Sequence, residues 1–291
     1  MSPLGEHLLT QSAVRERNYG YRYEKEGATV SATVTGEGER SRMALEWAFG
    51  SGVQAYTAVG RAGRRWIEHR ISFYAAPARV SLTPGHAGRA ILSAEDALGI
   101  GQEPSEIARC FGCHATRVRP TPDGVDLAAL EPGVQCERCH GPGSEHVEAS
   151  GGSDPARARK TILNAGRLPA SAIVMICGEC HRTPKAGQIS PAPELEDPLS
   201  VRFQPVGLMA SRCFQTSGKL SCLTCHDPHG NARKEEAYYT GKCLSCHDGP
   251  RAVLRACRRT QRENCLPCHM RRTTPAPHLS FVDHRIRIYS E

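Results

Sequence analysis

Six times in this chain two cysteines stand two residues apart with a histidine directly after the second: Cys110, Cys113 and His114; Cys136, Cys139 and His140; Cys177, Cys180 and His181; Cys222, Cys225 and His226; Cys243, Cys246 and His247; Cys265, Cys268 and His269. These groups use twelve of the fourteen cysteines. Two thiols at that spacing can form thioethers to the two vinyl groups on one edge of a porphyrin, and the histidine that follows then lies under the ring as an iron ligand. Every residue of the motif has a task in that chemistry, so the repeat predicts six covalent haem c groups. Zinc explains less, because a tetrahedron of four nitrogen or sulfur ligands gives no reason for a histidine after every second cysteine. The closely spaced three-cysteine runs of ferredoxins are absent. A set of six disulfides would leave the six histidines unexplained.

Thirteen histidines less the six in the motifs leave His7, His69, His86, His146, His229, His278 and His284. Six haems with a second histidine each would need six of these seven, so bis-histidine ligation of most or all irons is expected. Met209 or Met270 is the alternative for one site and would raise its potential. His146 follows His140 across Gly141-Pro142-Gly143, a turn that sends the chain away, and is expected to serve a neighbouring haem. His229 follows His226 across Asp227-Pro228 and reads the same way. His284 has Asp283 beside it, and either that carboxylate or a backbone carbonyl would orient the imidazole. The remaining Cys213 and Cys257 are expected either as a disulfide or as buried free thiols.

The elements that must position these residues divide the chain in two. Residues 1–100 contain no cysteine but hold β-prone runs at Ala28–Thr35, Ala44–Phe49, Val53–Val59 and Arg65–Tyr74, with glycine turns expected at Gly36–Gly38, Gly50–Gly52 and Gly60–Gly63. A small antiparallel β region that caps the rest follows from this pattern. Residues 101–291 read as a multihaem cytochrome c domain, loop-rich with short helices at the motifs and packed porphyrins as its core. The composition agrees, since hydrophobic residues make up 39% and aromatic residues 5%, against 28 glycines and 20 prolines. A formal charge of +7 points at first to acidic partners. Six oxidised haems with ionised propionates lower it to about +1, and full reduction to about −5, which removes the case for nucleic acid. Many arginines are expected to pair with propionates. No apolar run is long enough for a membrane span. The start, MSPLGEHLLTQS, lacks the pattern of a signal peptide and reads as a truncated or processed form.

From about Ala48 to Tyr289 the chain resembles multihaem c-type cytochromes of the broad class that includes the tetrahaem cytochrome of ammonia oxidisers and the pentahaem nitrite reductases. Within that class it is most similar to exported bacterial multihaem cytochromes. The residues that carry the resemblance are GVQCERCHGPG from Gly133 to Gly143 with His146, SCLTCHDPH from Ser221 to His229, and Cys268-His269-Met270 with His278 and Asp283-His284-Arg285. In such relatives the histidines matching His146 and His229 are distal haem ligands. Relatives often have a signal peptide and a further CxxCH upstream, a departure that leaves the haem served by His7 open. The resemblance implies a periplasmic or extracellular electron carrier with redox partner proteins. Self-association into an oligomer or an extracellular haem filament is a further expectation, in which one chain would lend a histidine to the next. The alternative is a multihaem oxidoreductase of nitrogen or sulfur compounds with one open haem. No CxxCK occurs, so the lysine-ligated haem of the pentahaem nitrite reductases has no counterpart here.

Overall fold

The protein is described from a computed structural model at residues 3–11, 14–152, 154–183, 195, 197–248 and 263–289. Cys257, and with it the expected pairing with Cys213, lies outside the described residues. The chain forms two compact units: Met1–Val134 with Ala276–Leu279, and Gln135–Pro275 with Ser280–Glu291. By compactness the division falls after Val134, so the first motif belongs to the same unit as the β region.

The first unit is built on an eight-stranded antiparallel sheet. Strands β1 (Val14–Glu16), β2 (Tyr19–Glu26), β3 (Thr29–Gly36), β4 (Glu39–Phe49), β5 (Ala55–Ala62), β6 (Arg65–Ala75) and β7 (Ala78–Leu82) lie side by side in chain order. On the far edge of β6, residues Ile71–Ala75 pair with β7 and Trp66–His69 pair with β8 (Gly99–Gln102). The β3–β4 hairpin closes through Glu37 and Gly38, both at positive φ, which suits the right-handed twist of the strands it joins.

Side chains alternate across this sheet, as in β2, where Tyr19, Tyr21 and Tyr23 are buried. They meet Leu4 and Leu8 of α1 (Pro3–Leu9) and Ala94, Ala97 and Leu98 of α2 (Ala94–Leu98) in one apolar cluster. Two polar contacts are enclosed with it: Arg70, 1% exposed, holds Glu16 of β1, and the Tyr21 hydroxyl donates to the Ala97 carbonyl at 2.9 Å.

The turn expected at Gly60–Gly63 is corrected: β5 runs through Gly60, and the chain reverses at Gly63, where φ is +61°. The reason is close approach rather than turning. A Cβ on Gly60 would stand 1.7 Å from the Ala44 carbonyl oxygen, beside an irregularity in the β4–β5 pairing. β8 leads into α3 (Pro104–His114), where Pro104 sits in the first turn, a position that needs no backbone donor. Ile107 and Phe111, one helical turn apart, are buried with Val59, Trp66 and Val125 in a second apolar cluster.

The second unit contains the other five motifs on helices: α4 (Cys136–His140), α7 (Ala170–His181), and the helices Cys222–Cys225, Glu236–His247 and Cys265–His269. Between the first two lie α5 (Ser144–Gly151) and α6 (Pro155–Lys160). Short helices were expected at the motifs. Three are short, but the motifs ending at His114, His181 and His247 close helices of 11 or 12 residues.

Candidate haem-binding sites

All six motifs adopt one local structure. The two cysteines, three positions apart on a helical turn, share a face, and the histidine ends the helix or, for His226, caps it. All thirteen described cysteines are unbridged. Burial pushes the Cys110 thiol up to about 11, which keeps it protonated at neutral pH.

Adjacent motifs are neighbours within the second unit. Arg138 of α4 pairs with Glu179 of α7 at 2.9 Å. The helix Cys222–Cys225 packs on α7 and on Glu236–His247, which in turn packs on Cys265–His269. The thiols of Cys177 and Cys222 hydrogen-bond to each other, as do those of Cys243 and Cys265.

The imidazoles are held by one ring nitrogen. Nδ1 lies 2.7 Å from the Leu163 carbonyl in His140, 2.7 Å from the Ala158 carbonyl in His146, 2.9 Å from the Val282 carbonyl in His284 and 3.0 Å from the Arg287 carbonyl in His269. In His181 the acceptor is Gln204 Oε1 at 3.0 Å, and in His229 the Asp227 carboxylate stands 3.2 Å from Nδ1. An acceptor at Nδ1 selects the tautomer with the proton there and leaves the lone pair on Nε2, the state and orientation of a metal-binding histidine. For His284 the question of what orients the ring is settled in favour of the Val282 carbonyl. The Asp283 carboxylate instead takes the Arg285 backbone N–H and the Tyr289 hydroxyl, both at 2.8 Å. Burial holds the His284 imidazole down at about 4, so the ring is neutral at neutral pH.

Two pairs of rings face each other across a gap. His140 and His229 have centroids 6.1 Å apart with planes within 6°, and His226 and His284 are also 6.1 Å apart, with planes at 35°. Two imidazoles that bind one metal from opposite sides, each with a metal–nitrogen bond of about 2 Å, place their centroids about 6.3 Å apart. The two centroid spacings match that length. Among the described residues no three His, Cys, Asp or Glu side chains group as metal ligands.

In the first unit, His114 tilts against Phe49 at 5.0 Å, with Phe111 behind it against Trp47 and Phe49. His86 is fully buried, with Nε2 3.2 Å from Glu68 Oε2 and Nδ1 buried without a partner, an atom that a bound group would satisfy. His7 stacks on Phe73 at 3.7 Å and His278 meets Tyr74 at 5.1 Å. His69 differs from all of these. It is fully buried, with Nδ1 2.7 Å from the Leu98 carbonyl and Nε2 3.0 Å from the Tyr23 hydroxyl. Both nitrogens are committed, so neither is open to a metal in this conformation.

The orienting residues Asp227 and Gln204 were missed by sequence reasoning. Asp227 had a signal in its place between His226 and His229. Gln204, 23 positions from its partner, had none.

Residues 81–141, which include His86, the first two motifs and the start of the Gly-Pro-Gly turn, match the family described as cytochrome c554 and c-prime. This match supports a multihaem c-type cytochrome with haem c as its cofactor. Among solved structures the chain is similar to an outer cell wall cytochrome, OcwA, at 16% identity and a TM-score of 0.45. The likeness covers 82% of this chain and 66% of that one, so this chain spans just under two thirds of its length. No curated protein matches the sequence significantly. Among the described residues no helix is long and apolar enough to cross a membrane.

Proposed function

We propose that this protein is an exported electron carrier that holds six haem c groups, one on each motif, with most irons between two histidines. The haem supplies a one-electron change at iron. The protein's residues do the rest. Each cysteine pair fixes the cofactor by one edge, and each motif histidine binds from the helix end. A second histidine would also bind the iron and leave no position for a substrate. The carbonyls and side chains at Nδ1 hold the rings in the binding tautomer. The paired rings, His140 with His229 and His226 with His284, carry this reading.

The pairing also gives the ligands an order. His229 faces the motif at His140 and not its own, so His146 is left to serve another iron, as the Gly-Pro-Gly turn implied. With His69 committed to the sheet, the second-ligand set becomes His7, His86, His146, His229, His278 and His284. Contacts between neighbouring motifs support a route through the second unit in chain order, from the motif at His140 to that at His269. Low potentials follow from histidine in place of methionine.

Replacing His229 or His284 with Ala should each convert one iron from low to high spin in the electron paramagnetic resonance spectrum, while the other irons stay low-spin. The unaltered, reduced protein should not bind carbon monoxide. A His229→Ala protein with every iron still low-spin would refute the pairing.

A further inference from the structure

The irons of this chain would be chemically alike if each had the same two ligands with the same support, yet the support differs among the histidines. Apart from His69, five rings are hydrogen-bonded through Nδ1, four to a backbone carbonyl and His181 to a neutral side-chain amide. At His229 a carboxylate stands there instead, with Asp227 Oδ1 3.2 Å from Nδ1. The same oxygen accepts the backbone N–H of His229 at 3.0 Å, so the carboxylate is tied to its histidine by two contacts within a three-residue turn. Pro228 between them restricts that turn further.

We propose that Asp227 sets the reduction potential of one iron, the one between His140 and His229, below the value its histidines alone would give. Asp227 is a positioning residue, acting through His229. The proposal rests on the axial pairing above and adds a charge to it. A carboxylate beside the far nitrogen of a ligating imidazole places a negative charge next to that ligand. Such a charge would favour the more positive, oxidised state of an iron bound to His229. The contact is exposed to solvent in the chain, so screening limits its strength.

The test uses the mature holoprotein with Asp227→Asn, which keeps an oxygen acceptor and loses the charge, and Asp227→Glu, which keeps the charge. Potentiometric titration should show one iron of the Asn variant with its potential shifted upward, its oxidised-to-reduced ratio at fixed potential falling by about threefold to tenfold, tenfold being about 59 mV for one electron. The Glu variant should return most of that shift. All irons should remain low-spin in both variants. An Asn variant with every potential unchanged and every iron low-spin would overturn the role of Asp227 and leave the haem reading intact. A high-spin iron in the Asn variant would also overturn it, by reducing Asp227 to a structural support. Failure of the axial pairing itself would show separately, as a low-spin iron that survives His229→Ala.

Discussion

His69 and His284 show how two histidines alike in sequence part ways in the fold. Burial depresses both imidazoles to about 4, but His284 keeps one nitrogen open whereas His69 gives one to Leu98 and the other to Tyr23. Six expected haems against seven further histidines left one unassigned, and the sequence did not name it; the partners of His69 lie 29 and 46 positions away. The twelve motif cysteines and six motif histidines were legible because one spacing recurs six times. The orienting acceptors were legible only where they are local, as Asp227 is to His229. His69 also makes a pH dependence. Its folded value lies below the ordinary 6.5, so between these values the unfolded chain binds more protons and stability falls as pH drops. Its contribution is complete above about pH 6.5 and is lost toward pH 4, by at most about 3 kcal/mol. Chemical denaturation followed through the strand signal should show this loss in the native chain. His69→Gln should be less stable at neutral pH and should lose less on acidification, and an equal acid sensitivity in both proteins would count against the role assigned to His69.

At the scale of elements, the four expected strands all exist, but the sheet extends to eight. The alternation Tyr19, Tyr21, Tyr23 was a readable sign of β2. β8 was not readable, since Gly99-Ile100-Gly101-Gln102 has neither alternation nor β-branched density, and its place is decided by pairing with β6. α3 links the sheet to the first motif through Phe111, which is 1% exposed and packs against Trp47, Phe49 and Trp66. Truncation to Ala would remove these contacts and leave a cavity. We expect Phe111→Ala to destabilise the first unit by about 3–5 kcal/mol, read as a lower denaturant midpoint at unchanged slope. A change below about 1 kcal/mol would mean that α3 is not anchored by this side chain.

The whole molecule joins two units with different sources of cohesion. The first has an apolar core of ordinary kind around the sheet. Among the described residues of the second, buried apolar side chains are few, among them Ile173, Val174, Val206 and Leu208, while five motif helices bring their cysteines together. Porphyrin faces would supply the apolar surface that side chains do not, and binding that occurs only in the folded state is folding energy. Chain made without haem attachment should therefore keep the strand signal of the first unit while residues of the second exchange their amide hydrogens freely. Cooperative protection across both units in haem-free chain would contradict this. The most direct test of the central claim is the intact mass of the mature protein after denaturation. The account predicts the mass of the chain plus six haem groups, retained because the bonds are covalent. A mass equal to the bare chain, or one lower by the hydrogens lost on pairing the motif cysteines as disulfides, would contradict it.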